Sequence, residues 1–182
     1  KLVNSDPAVQ AKIFEADLAK PQHRIDSASW LVFLRNCQQL QSPELPLLTA
    51  TAWLQNPQLP LCQLIQHATN LRQALSAAWY FRHQLAPYLF ARLQHDADYI
   101  RLELRAGIGL GAQQRLICEL WFALILQLIQ QQQRGLTGIS LSVPWACPQP
   151  AAAQQSLWPV PVLYQQPFIC IQIPRQYWLH PF

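Results

Sequence analysis

Charge is scarce in this sequence. Only 12% of its 182 residues are Asp, Glu, Lys or Arg, about half of the ~25% usual for a soluble chain. Its surface must therefore be solvated by something other than ions, and glutamine takes that place. Glutamine recurs throughout and runs four deep from Gln130 to Gln133, as expected of compositional drift on solvated faces. A basic stripe is also missing. The net charge is +4 and the pI about 9.0, but the ten arginines and three lysines are scattered, with no run of like charge. A surface that tracks phosphates needs such clustering, so this stretch of chain is not expected to bind DNA by itself. No Cys-x-x-Cys occurs. Cys37, Cys62, Cys118, Cys147 and Cys170 are far apart and odd in number, the pattern of reduced, buried thiols rather than of a disulfide framework. The longest apolar run, Leu120 to Leu126, falls far short of the ~20 residues that span a bilayer, and charges interrupt every apolar stretch where a signal peptide would stand. A soluble, cytoplasmic protein with no membrane partner is expected.

Sites of chemistry are equally hard to find. His23, His67, His83, His95 and His180 show no metal-ligand spacing with one another, with cysteine or with carboxylates. No G-x-S-x-G is present, and none of the nine acidic residues pairs with another as an acid/base couple. No metal, no cofactor and no enzymatic activity are expected. One motif invites a different reading. Gly107-Ile-Gly109-Leu-Gly111-Ala112 is a G-x-G-x-x-A between a strand and a helix, a permitted form of the dinucleotide fingerprint. Its context fails, because the preceding strand is half polar and glutamine occupies the region where an acidic ribose ligand is due. A flexible connector is the better reading.

What the chain does have is helical and strand periodicity in sequence blocks. Residues 7–19 alternate small, apolar and charged residues at helical spacing. A second helix begins at a Ser27 or Ser29 cap and carries the stripe Trp30, Leu31, Phe33, Leu34, Cys37, Leu40. Prolines 43, 46, 57 and 60 bound a short helix at Leu47 to Leu54, and Leu61 to Ala68 is another helical piece. Thr69 is placed to cap a helix whose face is Leu71, Leu75, Ala78, Trp79 and Arg82. Tyr88–Leu93 and Tyr99–Leu104 then read as a hairpin, the second strand alternating Ile100, Leu102, Leu104 against Arg101, Glu103, Arg105. The longest helix spans roughly Ala112 to Arg134. Its apolar face is wide enough that the helix is either central to the core or shared with a second subunit. Strands follow at Gly138–Val143 and at Phe168–Ile173, with a loop rich in Pro, Ala and Gln between them and a short helix after Pro174.

The fold class expected is α+β: a helical subdomain over residues 1–60, leading into a core over residues 61–182 in which a small, mainly antiparallel sheet packs on the long apolar helix. Candidate ligand-binding residues are Trp79, Arg82 and Trp121. Trp79 and Arg82 are three apart on one predicted helix; Trp121 sits on the apolar helix. One reading makes Trp79 core, with Arg82 snorkelling along it to solvent. The other makes them an apolar pocket with a cationic rim for an effector bearing a carboxylate.

In order along the chain these elements resemble the N-terminal effector-binding (arabinose-binding-like) domain found in one large branch of AraC-type transcription regulators. The resemblance rests on His23-Arg24-Ile25-Asp26, on Thr69 to Leu75, on the hairpin from Tyr88 to Arg105, and on the apolar helix with Glu119 and Leu120. It continues through Val143-Pro-Trp-Ala-Cys-Pro-Gln-Pro150 and Trp158-Pro-Val-Pro-Val-Leu-Tyr164, and ends on Phe168-Ile-Cys-Ile-Gln-Ile-Pro174. Two departures stand out. A histidine of the family's Pro-rich segment is missing, and Leu157-Trp158 stands where Phe-Gly is usual. The resemblance implies a homodimeric sensor of a small-molecule effector, which controls DNA binding through a C-terminal pair of helix-turn-helix units; this chain is expected to be the sensor half alone. Sugar as ligand does not follow, since this branch does not resemble the β-barrel domain of the arabinose regulator. The alternatives are a dimerisation or interaction module without a ligand and, from a third class, a small-molecule enzyme.

Overall fold

The computed structural model describes residues 8, 11–12, 25–40, 42–56, 60–82, 88–131, 135–147 and 157–181. In chain order its elements are α1 (Ser27–Gln39), α2 (Leu45–Leu54), α3 (Pro60–Gln66), α4 (Leu71–Tyr80), β1 (Leu89–His95), β2 (Tyr99–Ala106), α5 (Gln113–Gln131), β3 (Ser140–Ser142), β4 (Val162–Leu163), β5 (Ile169–Pro174) and α6 (Gln176–Leu179). The helix expected at 7–19 and most of the Pro/Ala/Gln loop lie outside the described residues.

Two compact units divide the chain: residues 1–42 with 111–116, and residues 43–110 with 117–182. In the first unit α1 is opened by Asp26 rather than by a serine. Its carboxylate accepts from the Ala28 and Ser29 backbone N–H groups at 2.9 Å and from the Ser29 hydroxyl at 2.6 Å. These hydrogen bonds to the charged form hold Asp26 below the usual carboxylate pKa. Trp30 and Phe33 stack at 5.4 Å, and Gln38 Nε2 donates to the Ala112 carbonyl at 2.6 Å.

The second unit contains the sheet. Its strand order is β1-β2-β5-β3-β4; every pairing is antiparallel except β3 with β4. The register places Ile100 opposite Ile173, Leu102 opposite Ile171 and Leu104 opposite Ile169, so one face is apolar across the central strands. Its other face carries Arg101, Glu103 and Arg105, with ion pairs Arg105–Glu103 at 2.8 Å and Arg101–Asp96 at 3.2 Å. The core joins the apolar face of the sheet to α5, where Phe122, Ile125 and Leu126 are fully buried. The wide apolar face of α5 is thus taken up inside the chain, the first of the two outcomes its composition allowed.

Helix α2 belongs to this second unit. It is tied to α5 by a polar clamp: Gln127 Nε2 donates to the Thr51 hydroxyl at 2.6 Å and to the Leu47 carbonyl at 3.1 Å. One glutamine at least is therefore a structural hydrogen-bonding residue in a half-buried position rather than surface filler. Helix α4 is capped by Asn70, whose side chain accepts from the Gln73 N–H at 2.9 Å, while Gln73 Oε1 accepts from the Thr69 N–H and hydroxyl. The cap falls one residue later than Thr69, and Gln73 reaches back past it to the preceding residue, a variant of the capping box.

The glycine-rich connector does not form a nucleotide cradle. Strand β2 runs antiparallel to both neighbours, and α5 leads to β3, which does not lie beside β2; no βαβ unit is formed around it. The glycines have local reasons. Gly111 takes φ +54° just ahead of α5, a left-handed conformation that L side chains avoid. A Cβ on Gly107 would stand 2.1 Å from the Phe90 ring, which lies across the end of the hairpin.

Candidate functional site: a tryptophan-lined groove

Helix α4 and the β1–β2 hairpin enclose a groove of about 360 Å³, open to solvent at one side. One wall comes from α4, where Arg72, Ser76 and Trp79 follow one another at i, i+4 and i+7 and therefore share a face; Leu75 lies at its base. The opposite wall is the apolar face of the hairpin. Ala91 pairs with Leu104 and Leu93 with Leu102, so the four side chains form one continuous patch, and all four line the groove. Trp121 from α5 and Trp178 from α6 close it. The short α6 is held in place at both ends. The Arg175 N–H donates to the Asp98 carbonyl at 2.8 Å, and Pro181 bridges to Asn70 at the start of α4. His95 meets the Trp178 ring edge-on at 6.0 Å.

The three residues singled out in the sequence fall as follows. Trp79 and Trp121 line the same groove. Arg82 is not part of its lining. Helix α4 ends at Tyr80 with Phe81 as its C-cap, so Arg82 lies beyond the helix and folds back. Its guanidinium sits 4.8 Å from the centre of the Trp79 ring and donates to the Trp79 carbonyl at 3.2 Å. Sequence reasoning missed Arg72, Ser76 and Trp178. The first two were detectable, because they stand seven and three residues before Trp79 on the same helix. Trp178 carried no local signal: it is almost one hundred residues away, on one turn of helix.

Behind the groove lies a small void of about 20 Å³, lined among others by Trp53, Cys62, Ile65 and Ala78 and sharing Leu75 and Trp121 with the groove. It is apolar throughout, and a void of that kind stays dry.

Among the described residues Arg72 is the one ionisable side chain that lines the groove, and the Ser76 hydroxyl is engaged with the Arg72 carbonyl at 2.8 Å. Three of the thiols are poor nucleophiles: burial, with Glu119 adding to it, pushes Cys118 up to about 12, burial pushes Cys170 up to about 11, and burial raises Cys62. Among the described residues no three His, Cys, Asp or Glu side chains come together as metal ligands, and no helix is long and apolar enough to cross a membrane.

Residues 8–182 match the arabinose-binding domain of AraC transcription regulators, N-terminal, and the chain belongs to that family, which is one of regulator domains and not of enzymes. Among solved structures the fold is similar to that of the transcriptional regulator CdpR from Pseudomonas aeruginosa, with a TM-score of 0.61 at 13% identity. That similarity covers 100% of this chain and 59% of the other, so the chain spans little more than half the length of that regulator. No curated protein matches.

Proposed function

We propose that this domain senses a small-molecule effector in the groove between α4 and the β1–β2 hairpin, and that occupancy is passed, in a cytoplasmic bacterial homodimer, to DNA binding by a C-terminal helix-turn-helix half. The observation that carries this reading is the groove itself. A volume of about 360 Å³ lies within the range of small-molecule sites, which are mostly apolar with few polar groups. In this reading Trp79 and Trp121 are walls that cover the effector's flat surfaces. Arg82 acts one step away, its cation over the Trp79 ring fixing the indole for contact. An effector shifts the regulator only by binding one arrangement of the domain more tightly than another.

A thermal-shift screen of neutral and charged small molecules tests the reading. A specific ligand at one hundred times its dissociation constant adds about 2.7 kcal/mol, which raises the melting temperature of a domain this size by roughly 5–10 °C. Compounds that stabilise wild type should lose that effect in Trp79→Ala. A screen in which nothing stabilises the domain, or in which the Trp79→Ala shift equals that of wild type, removes the groove as the sensing site. Dimerisation is checked separately by sedimentation; a monomer at all concentrations would separate sensing from self-association.

A further inference from the structure

Resting on the sensing reading above, we propose that the effector is an anion with a flat apolar body, and that Arg72, rather than Arg82, receives its acidic group. The argument begins with the census of the groove. Its other described lining residues are aliphatic, aromatic or a serine, so among the described residues Arg72 supplies the only charge that lines the groove. Neither of the ion pairs seen on the sheet, Arg101–Asp96 and Arg105–Glu103, involves Arg72, and no carboxylate among the described residues is paired with it. Arg82 lacks that freedom, its guanidinium being committed to the Trp79 ring and carbonyl.

The position of Arg72 reinforces its charge. It is the second residue of α4, behind the Asn70 cap. The first turn of a helix presents the positive end of the backbone dipoles, and the first turn of α4 contains no acidic residue to offset it. The groove mouth thus combines a free guanidinium with a helix end of the same sign. A planar fork of N–H donors suits a carboxylate in two-point contact. One turn and two turns further along the same face come Ser76 and Trp79, so a ligand with its acid on Arg72 lays its body along α4 toward Trp79. There it meets three tryptophans and the Ala91, Leu93, Leu102, Leu104 patch. Aromatic walls of this kind favour a flat, apolar partner.

The test uses two probes of nearly identical shape, naphthalene-2-carboxylate and naphthalene-2-carboxamide, titrated into the whole chain by calorimetry. The acid should bind wild type about tenfold more tightly than the amide, the low end for a hydrogen bond to a charged group because Arg72 is exposed. Arg72→Gln should abolish that preference, weakening the acid far more than the amide; Arg72→Lys should restore part of it, and Arg82→Gln should preserve it. Circular dichroism and the thermal midpoint establish that each variant is folded. Equal binding of acid and amide by wild type overturns the anion proposal while leaving the groove a sensing site. A preference that survives Arg72→Gln, or one lost in Arg82→Gln, overturns the assignment to Arg72. Binding of neither probe overturns this inference as well, whereas the sensing reading falls only when the broad screen is also silent.

Discussion

Leu75, with Trp121, stands between the groove and the void behind it, and replacing it with alanine should be costly in a defined way. Leu75 is 8% exposed and borders both the 360 Å³ groove and the 20 Å³ void. Removing three buried carbons forfeits their transfer free energy and adds a term for the space left behind; buried Leu→Ala changes cost about 2–5 kcal/mol in all. Here the new space opens onto the groove, so water and the side chain of Leu93, 39% exposed, can enter it. The cost should fall near the low end, about 2.5–3 kcal/mol, which lowers the melting temperature by roughly 5–12 °C. Urea titration is the assay, and the midpoint should fall with the slope unchanged. A loss under about 1 kcal/mol would mean that Leu75 is not packed as described. A loss above about 5 kcal/mol would mean that the cavity is sealed and that the groove does not reach it.

Two further outcomes follow from the same structure. Asn70→Ala removes the acceptor for the Gln73 N–H at the start of the groove-lining helix and should cost about 1 kcal/mol, with Asn70→Asp close to neutral; denaturation of both variants checks it. Cys118 and Cys170 have folded pKa values raised to about 12 and about 11 from 9.0. The unfolded chain therefore loses those protons first as pH rises, and stability present below pH 9 should decline between pH 9 and 12. Cys118→Ser and Cys170→Ser variants that show the same decline would remove these thiols as its cause.

Most of the fold was legible because its periodicity is local. The alternation from Tyr99 to Leu104 and the long stripe on α5 report burial without reference to anything distant. Strand β4 was not legible. Its two residues, Val162 and Leu163, sit among prolines and exist only because β3 offers a parallel partner, which no local pattern announces. The caps slipped by one or more residues for a related reason: Asp26, Ser27 and Ser29 are all competent caps, as are Thr69 and Asn70, and the direction of the entering chain decides between them. Trp79 and Trp121 were identifiable as large aromatics on apolar helix faces. Arg82 was paired with Trp79 on the assumption of a continuing helix; α4 stops at Tyr80, and the two residues meet instead because the cation folds over the ring. The same helical arithmetic run backwards from Trp79 reaches Ser76 and Arg72.

The central claim is that the groove is where the effector binds, and the indole N–H signals test it most directly. The chain has seven tryptophans, each giving one side-chain resonance in a ¹H–¹⁵N spectrum. Titrating a compound that stabilises the domain should move the signals of Trp79, Trp121 and Trp178, which line the groove. Those of Trp30, Trp145 and Trp158, which do not line it, should stay in place. A saturable titration that moves only this second set, or that leaves all three groove tryptophans unshifted, would contradict the account.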